Sequence, residues 1–63
     1  MRTKIYLKDD IEERDLIAIQ NEYFASWFHT SRDEKGMYLE FHGRLDQNKL
    51  KELAGVRELE YLE

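Results

Sequence analysis

The chain contains no cysteine and no proline, and only three of its 63 residues are glycine. Without cysteine it has neither a disulfide framework nor a thiolate metal site, two devices that often stabilise very small domains. No apolar run approaches the roughly 18 residues of a membrane-spanning helix, and the start at Met1 leads into no signal-peptide core. We therefore predict one cytoplasmic domain, residues 1–63, with no membrane association.

Acidic residues outnumber basic ones by fourteen to ten, which gives a net charge of −4. This balance opposes unspecific attraction to phosphate backbones, so nucleic acid is a disfavoured partner. The acids are also too interspersed with other residues to form the long carboxylate rows of a DNA mimic.

The first half of the chain carries one clear strand pattern and one ambiguous segment. Thr3–Lys8 alternates apolar and polar residues, which indicates a half-buried strand. Asp10 and Glu13 resemble a capping box and predict a helix over about 11–21. The continuous run Leu16–Ile19 is also compatible with a buried strand, so both interpretations stay open.

In the second half of the chain the boundaries of the predicted elements are clearer. A strand is predicted over 23–31, then a hairpin connection at Asp33–Gly36, then a third strand over 37–42. Asp46 is the predicted N-cap of a helix over 47–54, and a last strand follows over 56–62.

The segment Leu53–Val56, followed by Leu59 and Tyr61, resembles the second half of ferredoxin-like domains, in which a helix ends on glycine and leads into the last strand. The predicted fold class is α+β, a ferredoxin-like βαββαβ two-layer plait with one open sheet face. The alternative is a four-stranded antiparallel meander followed by one helix and one strand. The predicted core comprises Ile5, Leu7, Leu16, Ile19, Phe24, Phe28, Leu39, Phe41, Leu50, Leu53, Val56 and Leu59.

A four-residue hairpin loop fixes the register of the second and third strands. Arg32 then pairs with Met37, Thr30 with Leu39, His29 with Glu40, Phe28 with Phe41 and Trp27 with His42. This register buries Phe24 and Phe28, whereas a slip of one residue would bury Trp27 and His29 instead. We prefer the first register. It predicts a partner-binding patch on the open sheet face, formed by Tyr6, Trp27, His29, Tyr38, Glu40 and His42.

The sequence gives little support for a catalytic or metal-binding function. His29, His42 and Glu40 share a face but have no recognised ligand spacing, so no metal and no other cofactor is predicted. No serine lies in a glycine-flanked elbow and no glycine-rich phosphate loop occurs, so we do not expect an enzyme.

A non-catalytic protein-binding module is the function we predict, of the small regulatory or inhibitory accessory kind found in bacteria, phages or plasmids. Its partner is another protein or a second copy in a homodimer. One alternative is RNA or single-stranded nucleic-acid binding on the same face, because Lys35–Phe41 resembles part of an RNA recognition motif that stacks bases on sheet aromatics. The other alternative is a dimeric small-ligand-binding domain.

Overall fold

The chain forms four strands and two helices, and the computed structural model describes all of its residues, Met1–Glu63. The strands form one antiparallel open sheet in the order β2-β3-β1-β4, so the protein is a small α+β domain. Neither helix is long and apolar enough to span a membrane. The elements are β1 (Arg2–Leu7), α1 (Glu13–Glu22), β2 (Trp27–Asp33), β3 (Gly36–His42), α2 (Gln47–Lys51) and β4 (Val56–Leu62), with a short 3₁₀ turn at Phe24–Ser26.

The ambiguous run Leu16–Ile19 lies in helix α1, so the meander alternative is wrong. Ile19 is fully buried, whereas Ile17 is exposed on the opposite side of the helix. The predicted capping box is absent, because the N-cap is Glu12 and its side chain makes no cap hydrogen bond. Helix α1 is therefore held by its buried face rather than by its N-terminus.

Helix α2 begins where the sequence predicts. The Asp46 carboxylate accepts a 2.9 Å hydrogen bond from the backbone N–H of Asn48, as an N-cap does. The helix ends at Lys51, three residues before the predicted end, and a turn leads to Gly55. Gly55 has φ +87°, and a Cβ there would clash with Cδ1 of Ile11. Backbone conformation and close packing both favour glycine at this position.

The core lies between the two helices and one face of the sheet. Ile5, Leu7, Ile19, Leu39, Phe41 and Leu50 form one buried cluster. Leu16, Leu53, Val56 and Leu59 pack against that cluster, as predicted. The prediction was wrong for two residues, because Phe24 is 71% exposed and Phe28 is 41% exposed.

A β-bulge in β2 explains why Phe28 is not in the core. The predicted pairs of Arg32 with Met37, Thr30 with Leu39 and His29 with Glu40 are all present. Between His29 and Trp27 the register shifts by one residue, so Trp27 pairs with Phe41 and Phe28 is the extra residue.

The bulge reverses the predicted faces of two aromatic residues. Residues directly opposite each other in a sheet share a face, so Trp27 joins Phe41 on the helix side. Phe28 turns to the open side, where its ring packs against His42.

A second bulge lies in β4, the other edge strand. Tyr6 pairs with Glu58 and Leu7 pairs with Val56, which leaves Arg57 as the extra residue. Bulges in edge strands increase the local twist and interrupt the ladder of hydrogen bonds.

Candidate protein-binding surface

Two tyrosine rings pack against each other, tilted by 59°, at the centre of the open sheet face. Tyr6 of β1 and Tyr38 of β3 are cross-strand partners whose ring centroids lie 5.5 Å apart. Although no helix covers this face, Tyr6 is 2% exposed and Tyr38 is 8% exposed. Both rings are therefore structural, with little area left for a partner.

Long cationic side chains cover the two rings. Lys4 Nζ lies 4.4 Å from the centroid of Tyr38, and Lys35 Nζ lies 5.3 Å from that of Tyr6. Arg57, the bulged residue of β4, places its guanidinium 5.8 Å from the Tyr6 centroid and donates a hydrogen bond to the carbonyl of Lys35. Their aliphatic stems cover apolar surface while their charges reach water.

The Tyr6 hydroxyl is fixed by an acid at the end of β2. It donates a 2.6 Å hydrogen bond to Oδ2 of Asp33, and Lys4 Nζ lies 3.5 Å from the same oxygen. The hydrogen bond to Asp33 and burial raise the pKa of Tyr6 above its usual range. The same bond lowers the pKa of Asp33.

Glu40 lies almost fully buried on the same face, with 3% exposed. Arg2 Nη1 approaches its Oε2 to 2.7 Å, and His29 Nε2 approaches its Oε1 to 3.4 Å. An acid this deeply buried is costly unless a cation is paired with it, and the Arg2 guanidinium supplies that charge. Glu40 therefore links strands β1 and β3, with His29 of β2 beside it.

The two histidines pack against a common aromatic ring. The Phe28 centroid lies 4.5 Å from that of His29 and 4.8 Å from that of His42, and the Arg2 guanidinium lies 5.6 Å from the Phe28 centroid. No group of three or more His, Asp or Glu side chains is arranged to hold a metal ion. This corner of the face is therefore an aromatic and cationic stack.

The largest exposed aromatic area lies at the start of β2, on the helix side. Phe24 and Trp27, the latter 40% exposed, line a depression of about 100 Å³ together with Gln20 and Asn21 of α1. Phe28 follows Trp27 directly but faces the opposite side of the sheet. We refer to Phe24, Trp27 and Phe28 as the edge aromatic cluster.

The six predicted site residues fall into three groups. His29 and His42 lie on the open face and are accessible. Tyr6, Tyr38 and Glu40 lie on that face but are buried. The predicted open-face position of Trp27 is wrong, because the bulge turns it to the helix side.

Sequence reasoning missed Phe24 and Phe28 as surface residues. The continuous aromatic run from Trp27 to His29 was the available signal, since a regular half-buried strand alternates with polar residues.

A second depression, of about 340 Å³, lies on the open face. It is lined by Lys4, Tyr6, Asp33, Glu34, Lys35 and Glu60. Four of its five charged residues are paired, Lys4 with Asp33 at 3.5 Å and Lys35 with Glu60 at 3.4 Å. It therefore offers a ligand few free polar groups.

No family model, no curated protein and no solved structure matches the chain. The geometry of its own side chains is thus the basis for assigning a function.

Proposed function

We propose that this chain is a non-catalytic protein-binding module built on a ferredoxin-like βαββαβ plait. The strand order β2-β3-β1-β4 and the antiparallel pairing of all neighbours support that plait. The single core cluster, which includes Ile19 of α1 and Leu50 of α2, supports a two-layer arrangement with both helices on one sheet face.

The observation that carries the proposal is the exposure of the edge aromatic cluster. A chain of this size has few large hydrophobic side chains to spare from its core, yet Phe24, Trp27 and Phe28 all reach solvent at one end of β2. Phe24 and Trp27 form an exposed apolar patch on the helix side, and Phe28 extends it around the edge onto the open face. Exposed apolar patches are typical of contact surfaces. The cluster replaces Tyr6, Tyr38 and Glu40 as the proposed contact, with His29 and His42 at its margin.

Aromatic side chains suit this role energetically. They supply large contact areas at a small cost in rotamer entropy, and tryptophan is enriched among residues that dominate binding energy. The small size and net negative charge of the chain support a regulatory or inhibitory accessory role in the cytoplasm, in which surface acids favour a basic target.

Nucleic-acid binding receives less support from this geometry. An RNA recognition motif needs exposed rings on its central strands, whereas Tyr6 and Tyr38 are covered by lysine and arginine side chains.

Capture experiments with matched variants test the proposal. The immobilised protein is incubated with lysate of its host, with and without nuclease, beside a Phe24→Ser/Trp27→Ser variant. A Glu52→Ser/Glu58→Ser variant, altered at exposed sites away from the cluster, is the control. Circular dichroism checks that all three are folded.

We expect one protein to be captured by the wild type and the control and lost by the cluster variant, independently of nuclease. Equal capture by all three would contradict the proposed surface. Capture that disappears with nuclease would favour the nucleic-acid alternative.

A further inference from the structure

Strand β2 presents an unprotected sheet edge. Its outer side has no neighbouring strand, and every residue except His29 is exposed. Natural edge strands are usually blunted by proline, lysine or a bulge. β2 contains neither proline nor lysine, its charged side chains Arg32 and Asp33 lie at its C-terminal end, and its bulge is confined to the first residues. The five residues His29–Asp33 are therefore a regular strand open to pairing.

The hairpin geometry determines which backbone groups are available. Asp33 and Gly36 flank a two-residue turn, so they form a hydrogen-bonded pair. Because such pairs alternate along an antiparallel ladder, Asp33, Ser31 and His29 direct their backbone groups towards β3. Thr30 and Arg32 direct theirs outwards to solvent.

We propose that the occupant of this edge is a second copy of the chain, with the two β2 strands antiparallel about a two-fold axis at Ser31. This inference goes beyond the proposed function, because it concerns the backbone edge of β2 and not the partner that the edge aromatic cluster would hold. In that register Thr30 faces Arg32 of the partner subunit, which gives about four backbone hydrogen bonds across the axis. The two Ser31 side chains meet at the axis, where their small size permits close approach.

Side-chain chemistry is self-complementary in this register. His29 lies opposite Asp33 of the partner subunit, on the open face, twice by symmetry. Nε2 of His29 lies 3.4 Å from Glu40, which leaves the other ring nitrogen without a partner in its own chain. Tyr6 and Lys4 occupy Oδ2 of Asp33, whereas Oδ1 accepts only the backbone N–H of Lys35 and retains a lone pair for that nitrogen. The exposed Trp27 and Phe28 then lie beside the hairpin turn of the second copy, which covers part of the edge aromatic cluster.

The opposite edge does not offer the same complementarity. Pairing two β4 strands about Leu59 would place Glu58 against Glu60 of the partner subunit, and pairing about Glu60 would oppose two identical acids. Pairing β2 with β4 of another copy gives a head-to-tail contact that does not close. A dimer through β2 avoids both the like-charge pairs of these β4 registers and the open-ended contact.

Disulfide trapping tests the register, because the natural chain has no cysteine and any disulfide must join two copies. Ser31→Cys places two thiols across the axis in a non-hydrogen-bonded pair, at a separation that a disulfide accommodates. We expect it to form a covalent dimer at least about tenfold faster than Lys51→Cys, an exposed control on α2. Equal rates for the two variants would overturn the register.

Sedimentation equilibrium of the tag-free protein over about 1 µM to 1 mM tests the association itself. We expect a dimer for the wild type and for Ser31→Thr. Ser31→Lys places two ammonium groups opposite each other at the axis. For this variant we expect the dissociation constant of the dimer to be at least about tenfold higher, with an unchanged circular dichroism spectrum.

A wild type that stays monomeric, or a Ser31→Lys variant that dimerises as tightly as the wild type, would overturn this inference. A monomeric wild type that still captured a partner through the edge aromatic cluster would leave the proposed function intact.

Discussion

Tyr6 and Tyr23 allow one chemical change, tyrosine to phenylalanine, to be tested at two sites with different expected results. The Tyr6 hydroxyl donates a hydrogen bond to Asp33. The Tyr23 hydroxyl oxygen is buried and has no hydrogen-bond partner. In both variants the ring stays in place, so the difference between them isolates the hydroxyl group.

The two magnitudes follow from what each hydroxyl contacts. Tyr6→Phe removes a hydrogen bond to a partly exposed acid, which costs about 1 kcal/mol of unfolding free energy. In a domain of this size that corresponds to a melting temperature lower by roughly 4–8 °C. Tyr23→Phe removes a buried group that bonds to nothing, so the melting temperature stays the same or rises by up to a similar amount.

The pH dependence provides an internal control. The hydrogen bond from Tyr6 lowers the pKa of Asp33 in the folded state. The stabilisation that this hydrogen bond provides is therefore complete above pH 3.8, the ordinary pKa of the acid. It is lost as the pH falls through the lower pKa that Asp33 has in the folded state. The difference in stability between the wild type and Tyr6→Phe should be largest at neutral pH and should decrease in acid.

At alkaline pH the dependence of stability on pH has the opposite sign. The pKa of Tyr6 is raised in the folded state, so its stabilisation is complete below pH 10 and declines above it. The Tyr6→Phe variant should not show this loss of stability at alkaline pH.

Thermal unfolding followed by circular dichroism at about pH 2.5, 7 and 10.5 measures these effects. Equal losses for Tyr6→Phe and Tyr23→Phe at neutral pH would refute the assignment of the two hydroxyls. A Tyr6→Phe deficit that persisted undiminished at the lowest pH would refute the role of Asp33.

Two further matched pairs test local structure. Gly55→Ala should lower the unfolding free energy by more than about 2 kcal/mol, because it combines a positive φ with a clash against Ile11. Gly43→Ala, with φ +84° and open space around it, should cost only about 1 kcal/mol, and chemical denaturation compares the two. Asp46→Ala should cost about 1 kcal/mol through loss of the α2 cap, whereas Glu12→Ala should be close to neutral because Glu12 makes no cap bond. Similar melting temperatures for that last pair would contradict the capping argument.

Local signals in the sequence predicted much of this fold. The alternation of Thr3–Lys8 predicted β1, and the Asp46 N-cap predicted the start of α2. The position of the hairpin predicted the register from Arg32 to His29, although the connection is two residues long and not four, because Asp33 pairs with Gly36. Each of these features depends on residues that are close together in the chain. A short stretch of sequence is therefore enough to predict it.

The exposed surface was harder to predict because it depends on one inserted residue. The alternation of the second strand could be continued through Phe28 without contradiction, and only the bulge makes Trp27 and Phe28 exchange faces. Edge strands tolerate such insertions because one side of the strand is unpaired. The cover over Tyr6 depends on Arg57, more than fifty residues away, which no short window includes.

The lysine and arginine cover over the open face restricts how this surface can vary. A typical surface position accepts almost any polar residue, whereas Lys4, Lys35 and Arg57 must each combine a long apolar stem with a terminal charge. Serine or aspartate at these positions would leave the Tyr6 and Tyr38 rings open to water. Side chains on the outside of this protein are therefore subject to the size constraints of a core, and its tolerance for substitution is narrower than its exposure suggests.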